Sequence, residues 1–279
     1  RLFVCGSSVR IPPQRSILQV QNVPGFGPTV QGKGTVTEPS GVPASVSSMS
    51  ADETVRSTVS ARTRVHRIPE LAAYDRPTID AILDAALVAH LGFIDDGQPF
   101  VIPTLQARID DTLYLHGSAA SRPLKRAAAG IPVCVTVTLV DGIVLARSIF
   151  EHSIDYRSVV VLGTATPVED PEEKLAALHA FSEQVLPGRW ADSREPTDKE
   201  LKATTIVSLP LTEASAKISS GPPEDAEADG HLDVWAGNLP FVVKALEPIP
   251  DPALRPGIPV PSYLTTYERQ GMTTPPEYP

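Results

Sequence analysis

The run Leu113-Tyr114-Leu115-His116-Gly117-Ser118-Ala119-Ala120-Ser121-Arg122-Pro123-Leu124-Lys125-Arg126 has the residue types and order of an anion site. A strand-like apolar start gives way to glycine and small hydroxyl residues, and a helix with three cations follows. Backbone N–H groups at the helix start, the hydroxyls of Ser118 and Ser121, and the charges of Arg122 and Lys125 could converge on a phosphate-bearing ligand. The plain alternative is an N-capped surface helix whose cations are solvated.

No other constellation carries chemistry. The six histidines (His66, His90, His116, His152, His179 and His231) are scattered, and no nucleophile–base set follows from their order. Cys5 and Cys134 lie far apart; Cys134, within the apolar run 131–140, reads as a small buried hydrophobe. Metal-type Cys/His spacing is absent, and so is an apolar stretch of membrane-spanning length. A net charge of −9 argues against a nucleic-acid partner, which needs a basic surface. A reducing, cytoplasmic setting without a membrane partner is expected.

The elements that would position the anion site are legible on either side of it. Asp75-Arg76-Pro77 starts a helix, with Asp75 as cap and Ile79, Ile82, Leu83, Ala86 and Leu87 on one face. Strands are expected at 91–94, 99–109, 112–116, 131–140, 157–168 and 204–211, with turns at Asp95-Asp96-Gly97 and Asp110-Asp111. A short helix spans about 123–129 and closes on Gly130. A longer one runs from Pro171 to about Leu186, with Leu175, Leu178 and Phe181 inward. Strands in hairpins with few helices favour a small barrel over a doubly wound sheet, and no GxGxxG or P-loop motif is present.

The ends differ from this middle. Residues 1–48 are rich in Gly, Pro, Ser and Val and carry +3, which leaves −12 for the remainder. They read as a disordered or non-native extension, with translation starting at Met49. Residues 49–65 form an arm, 66–240 the domain, and 241–279 an irregular proline-rich tail, with Asp233–Gly237 a small island of order before it.

In order, a helix, HLGFIDDGQPFVIPT, LYLHGSAASR, a valine-rich strand and DYRSVVVLG resemble the flavin-binding split-barrel superfamily of pyridoxamine 5′-phosphate oxidase, especially its nitroimidazole-resistance-like branch. The resemblance implies a mainly β fold with peripheral helices: a six-stranded antiparallel split β-barrel, paired as a homodimer with flavin mononucleotide (FMN) between the subunits. Ser121-Arg122 then matches the Ser-Arg-Lys of that family, whose lysine is replaced by Pro123, with Lys125 available to supply the charge. The same resemblance assigns His116, Gly117 and Ser118 to the phosphate and ribityl chain, and Pro103 and Thr104 to the ring edge. Tyr156, Arg157 and Ser158 match a segment just before the next barrel strand, and Trp235 the C-terminal tryptophan segment that closes the site; the resemblance implies that all four are cofactor-binding. It implies an oxidoreductase moving two electrons between a donor such as NAD(P)H and a small organic substrate: a nitro compound, quinone or amine. Haem, ligated by His116 or His152, a deazaflavin, or a flavin store without turnover are the alternatives.

Overall fold

A computed structural model describes residues 59–269 and 271. The expectations for residues 1–48, the Met49 start and the arm up to residue 58 lie outside the described residues.

The sheet begins from local signals. The Asp75 side chain accepts from the Thr78 N–H at 2.9 Å and caps α1 (Arg76–Ala85), with Pro77 in the first turn. Ile79, Ile82, Leu83 and Ala85 line its buried face. The chain then enters β2 (Val88–Asp95), after a two-residue β1 (Ala72–Ala73) upstream of the helix. Asp96 and Gly97 both have positive φ, 49° and 75°, as a two-residue primed turn requires, and they return the chain into β3 (Gln98–Ile109).

Strand β3 changes partner halfway. Residues 98–105 pair with β2 and 106–109 with β4 (Thr112–Ser118). Pro99 and Pro103 fall in the half that pairs on one side alone, where a missing N–H is tolerated. After α2 (Arg122–Ala128) come β5 (Pro132–Leu145) and β6 (Ser153–Thr164), joined by a long antiparallel ladder. A short β7 (Thr166–Pro167), α3 (Pro171–Val185), α4 (Asp198–Ala203), β8 (Thr204–Pro210), β9 (Ala214–Ser219) and β10 (Gly237–Pro240) complete the sheet, and α5 (Ser262–Thr265) follows.

All pairings are antiparallel, in the order β1-β9-β6-β5-β2-β3-β4-β8-β7, with β10 beside β5. The sheet curls until β6 meets β8: at Gly163 an added Cβ would stand 2.8 Å from Leu209 Cδ1. This is a split barrel. Its interior holds Leu91, Leu113, Leu115, Val135, Val137, Val159, Val161, Val207 and Leu209, plugged by α1 and by Leu124 and Ala127 of α2. A second apolar layer, with Tyr114, Ile206, Ala177 and Phe181, lies between α3 and the outside of β4 and β8.

The six expected strands correspond to β2, β3, β4, β5, β6 and β8, and the described sheet counts ten. Strand β9 escapes a hydrophobicity reading because ASAKIS is built of small residues, although Ala214, Ser215 and Ala216 are buried. Strand β10 escapes because GNLP carries turn residues. Two inward assignments change. Leu175 is exposed, since α3 packs through Ala177 and Phe181. Cys134 is half-buried on the outer face of β5, while Val133 and Val135 point into the barrel.

Candidate functional site

The end of β4 and the start of α2 form the expected turn, but its backbone donors are largely engaged. Ala119 N–H donates to Ala203 O, Ala120 N–H to Ser118 Oγ, and Ser121 N–H to Ser118 O. Ser121 makes no side-chain cap, and Pro123 has no N–H to offer. The backbone cradle is therefore smaller than expected. An anion here would meet mainly side-chain charge.

That charge is unevenly committed. Arg126 of α2 is paired with Asp95 at 2.6 Å, which ties the helix to the β2–β3 hairpin. Arg122 lies over the Phe100 ring, 4.1 Å from its centroid, and Phe100 stacks on Phe93 at 5.6 Å. Among the described residues no carboxylate pairs with Arg122 or Lys125, and both are exposed. Gly117 lets the turn pack closely: a Cβ there would touch the Leu124 side chain at 3.5 Å. Gly117, Ser118, Ser121, Arg122 and Lys125 thus form one cluster at the hairpin end of the sheet.

His116 departs from this cluster in direction. It alternates with Leu115, so its ring faces α3 and lies 4.1 Å from that of Phe181. Its Nδ1 is buried without a partner, and burial holds the imidazole below its ordinary pKa, hence neutral. Tyr114, on the same face, donates to Glu173 at 3.0 Å; burial first, and the carboxylate second, push the phenol up to about 12. Burial likewise raises the Cys134 thiol, which weighs against a nucleophilic role.

Pro103 and Thr104 point to opposite faces. Pro103 stands across from exposed His90, and Thr104 across from fully buried Ala89. Tyr156, Arg157 and Ser158 lie on β6, toward the other end of the β5–β6 ladder from α2. Arg157 is already engaged: it holds Asp141 through two hydrogen bonds of 2.8 and 2.7 Å and also donates to Gly271 O. Asp141 sits at a β-bulge, which turns its carboxylate toward Arg157. Ser158 Oγ reaches Lys217 O at 3.4 Å. Trp235 is 67% exposed and folds back over Gly237, whose φ is 156°.

Phe100, Asp95 and Asp141 were not among the expected residues, yet they decide which cations are available. An aromatic between Pro99 and Pro103 in a strand, and an acid at a hairpin turn, carry no distinctive signal in the sequence. Among the described residues no group of three His, Cys, Asp or Glu side chains could hold a metal ion, and no helix is long and apolar enough to cross a membrane.

No curated protein matches the chain. Among solved structures, the flavocytochrome Anf3 from Azotobacter vinelandii is 41% identical with a TM-score of 0.71, over 75% of this chain and 97% of that one. The FAD and heme binding protein from Mycobacterium smegmatis is 35% identical with a TM-score of 0.67, over 73% of this chain and 97% of that one. A 5-nitroimidazole antibiotic resistance protein from Bacteroides thetaiotaomicron aligns over 53% of this chain and 86% of its own, at 25% identity and a TM-score of 0.44. The family model for pyridoxamine 5′-phosphate oxidase matches residues 75–218, from the Asp75 cap to Ile218 in β9. Given that span and two matches over nearly the whole of their partners, the chain belongs to the pyridoxamine 5′-phosphate oxidase family.

Proposed function

We propose that the chain is a flavin-binding oxidoreductase that works as a homodimer. The observation that carries the reading is the contrast within α2: Arg126 is neutralised by Asp95, whereas Arg122 and Lys125 stand beside Gly117 and Ser118 with no carboxylate partner among the described residues. An exposed arginine braced on an aromatic ring is oriented at little further entropic cost, and its planar fork suits a phosphate. The phosphate of a flavin nucleotide fits it. FMN is the simplest such ligand. The FAD bound by the Mycobacterium smegmatis protein widens the reading to either nucleotide, with the phosphate next to the ribityl chain at Arg122.

When bound, the isoalloxazine would supply two-electron redox chemistry that no side chain here provides. The protein would orient it and limit water at its face. In this reading Lys125 compensates for Pro123. Arg157 acts by holding Asp141 and the C-terminal segment in place, with Tyr156 and Ser158 beside it on β6. Trp235 serves as a lid. The homodimer is supported by the outer sheet face, where Val88, Ile94, Val101 and Val140 are exposed. A donor such as NAD(P)H and a small organic acceptor would use one flavin face in turn.

A second cofactor is favoured by the two similar structures, one a flavocytochrome and one an FAD and heme binding protein. We include haem alongside the flavin on that ground. The purified protein tests both. Flavin bands near roughly 375 and 450 nm, and a released cofactor with the mass of FMN or FAD, are expected. A colourless protein that ignores both added nucleotides overturns the flavin reading. Rapid-mixing reduction by NADH or NADPH then separates an enzyme from a store.

A further inference from the structure

Resting on the homodimer in that reading, we propose that residues 242–261 form an arm that lies along a second copy of the chain. The inference starts from how the arm is tied. Phe241 N–H, just past β10, donates to Asp141 O at 2.7 Å. Beyond α5, the same Asp141 is gripped by Arg157, which also donates to Gly271 O. Outgoing and returning chain therefore meet at one clasp, at the bulge between Val140 and Gly142. Arg269 fastens the return further, onto Ala85 O and Gln184 O.

Between these ties the chain has little hold on the barrel. No helix or strand occurs from 241 to 261. Among the described residues, the hydrogen bonds of 242–260 make one turn, in which Ala253 and Leu254 N–H donate to Asp251. Pro248, Pro250, Pro252, Pro256, Pro259 and Pro261 stiffen the segment and keep it out of the sheet. A loop of this length without secondary structure is uncommon in a compact domain and points to a task of its own. Its side chains are those of an interface rather than of a solvated linker. Leu246 and Ile249 are 84% and 94% exposed, and Val242, Val243, Leu254 and Val260 are exposed as well. The outgoing leg at Ala245–Pro248 and the returning leg around Leu264 and Tyr267 leave an open cleft of about 250 Å³ between them, so the arm does not complete its own packing.

Charge and area point to a second copy as the occupant. Lys244 and Arg255 balance Glu247 and Asp251, so the arm is neutral, whereas the chain carries −9. Two acidic copies repel one another overall, and a neutral apolar arm can approach the other copy without that cost. With one side of an arm covered, on the order of 400 Å² of the arm and about as much of the surface it meets leave water. Two reciprocal arms then reach roughly 1,600 Å², the size of a standard stable interface.

The test follows the full-length protein by sedimentation over a wide range of protein concentration, alongside trypsin cleavage after Lys244. Arg255 precedes Pro256 and resists trypsin, so a cut within the arm reports on Lys244. The unaltered protein should be a dimer, and cleavage after Lys244 should quicken as dilution separates the copies. Leu246→Asp combined with Ile249→Asp, both at exposed positions, should raise the dimer dissociation constant about tenfold or more, since carboxylates would be buried without partners. An unchanged dissociation constant in that double variant overturns the arm and leaves the homodimer standing on another face. A cleavage rate that does not depend on concentration in the unaltered protein also overturns the arm, which is then bare or covered by its own chain. A monomer at every concentration overturns the homodimer reading and the arm with it.

Discussion

The guanidinium of Arg122 rests on the ring of Phe100, 4.1 Å from its centroid, and this contact joins α2 to the β2–β3 hairpin. The neighbouring ion pair of Arg126 with Asp95 makes the same connection one turn later. Together they fix the helix and split its cations into one that is structural and two that remain available. The β4–α2 turn is held as well, by three backbone donors that find acceptors within the turn or in α4. A site for a fixed anion needs that kind of prior order, because loop ordering on binding subtracts from affinity.

Stability should fall with acidity through His116. Its folded pKa is depressed by burial, so below about pH 6.5 the unfolded chain takes up a proton that the folded chain refuses. The loss approaches 1.4 kcal/mol per pH unit for this one group and continues until pH reaches the folded value. His116→Phe removes the titration and the unpaired Nδ1. Urea unfolding of both proteins between about pH 5 and 7 should show the variant's stability changing less with pH, and parallel curves would contradict this.

Barrel closure depends on the absence of a side chain at residue 163. An added Cβ would approach Leu209 Cδ1 to 2.8 Å, and Leu209 is fully buried, so the leucine or the backbone must shift. Gly163→Ala should cost about 1–3 kcal/mol by overpacking. Leu209→Val, introduced in the same chain, should recover part of that loss, which a double-mutant cycle of thermal unfolding measures.

The C-terminal segment is pinned by Arg269. This buried guanidinium donates to Ala85 O at 2.6 Å, Gln184 O at 2.6 Å and Asp84 O at 3.0 Å, joining the ends of α1 and α3. Gln106 and Gln184 donate to carbonyls of the same helix end. Arg269→Met should lower stability by about 1.5–3 kcal/mol, since charged hydrogen bonds are lost and carbonyls are left in a dry site. Limited proteolysis should then cut residues 241–261 before the barrel is touched.

Elements with local signals were legible in the sequence. Asp75 announces its helix by capping, and Asp96-Gly97 announces its hairpin by tolerance of positive φ. Strands of branched residues, such as Val133–Val137, followed the same logic. What stayed hidden depends on neighbours distant in the chain. Strand β9 is buried through position rather than residue size, and Leu175 faces out because Ala177 lets α3 approach β3. The candidate site divides in the same way. Its turn and its three cations could be read directly, but Arg126 and Arg122 are equivalent letters until Asp95 and Phe100 meet them. Arg157 read as a ligand candidate for the same reason, since nothing near it in sequence shows that the bulge at Asp141 claims its guanidinium.

The central claim is that Arg122 holds the phosphate of a flavin nucleotide. Fluorescence titration of the apoprotein with FMN and with FAD, compared between the unaltered protein and Arg122→Ala, addresses it directly. Loss of one charge-assisted, bidentate contact is worth on the order of 1.5–3 kcal/mol, so Kd should rise about ten- to a hundredfold for the nucleotide that binds. Lys125→Ala should show a smaller rise, because a flexible ammonium commits less to one geometry. An unchanged Kd in Arg122→Ala, in a variant whose thermal unfolding matches that of the unaltered protein, would contradict the account.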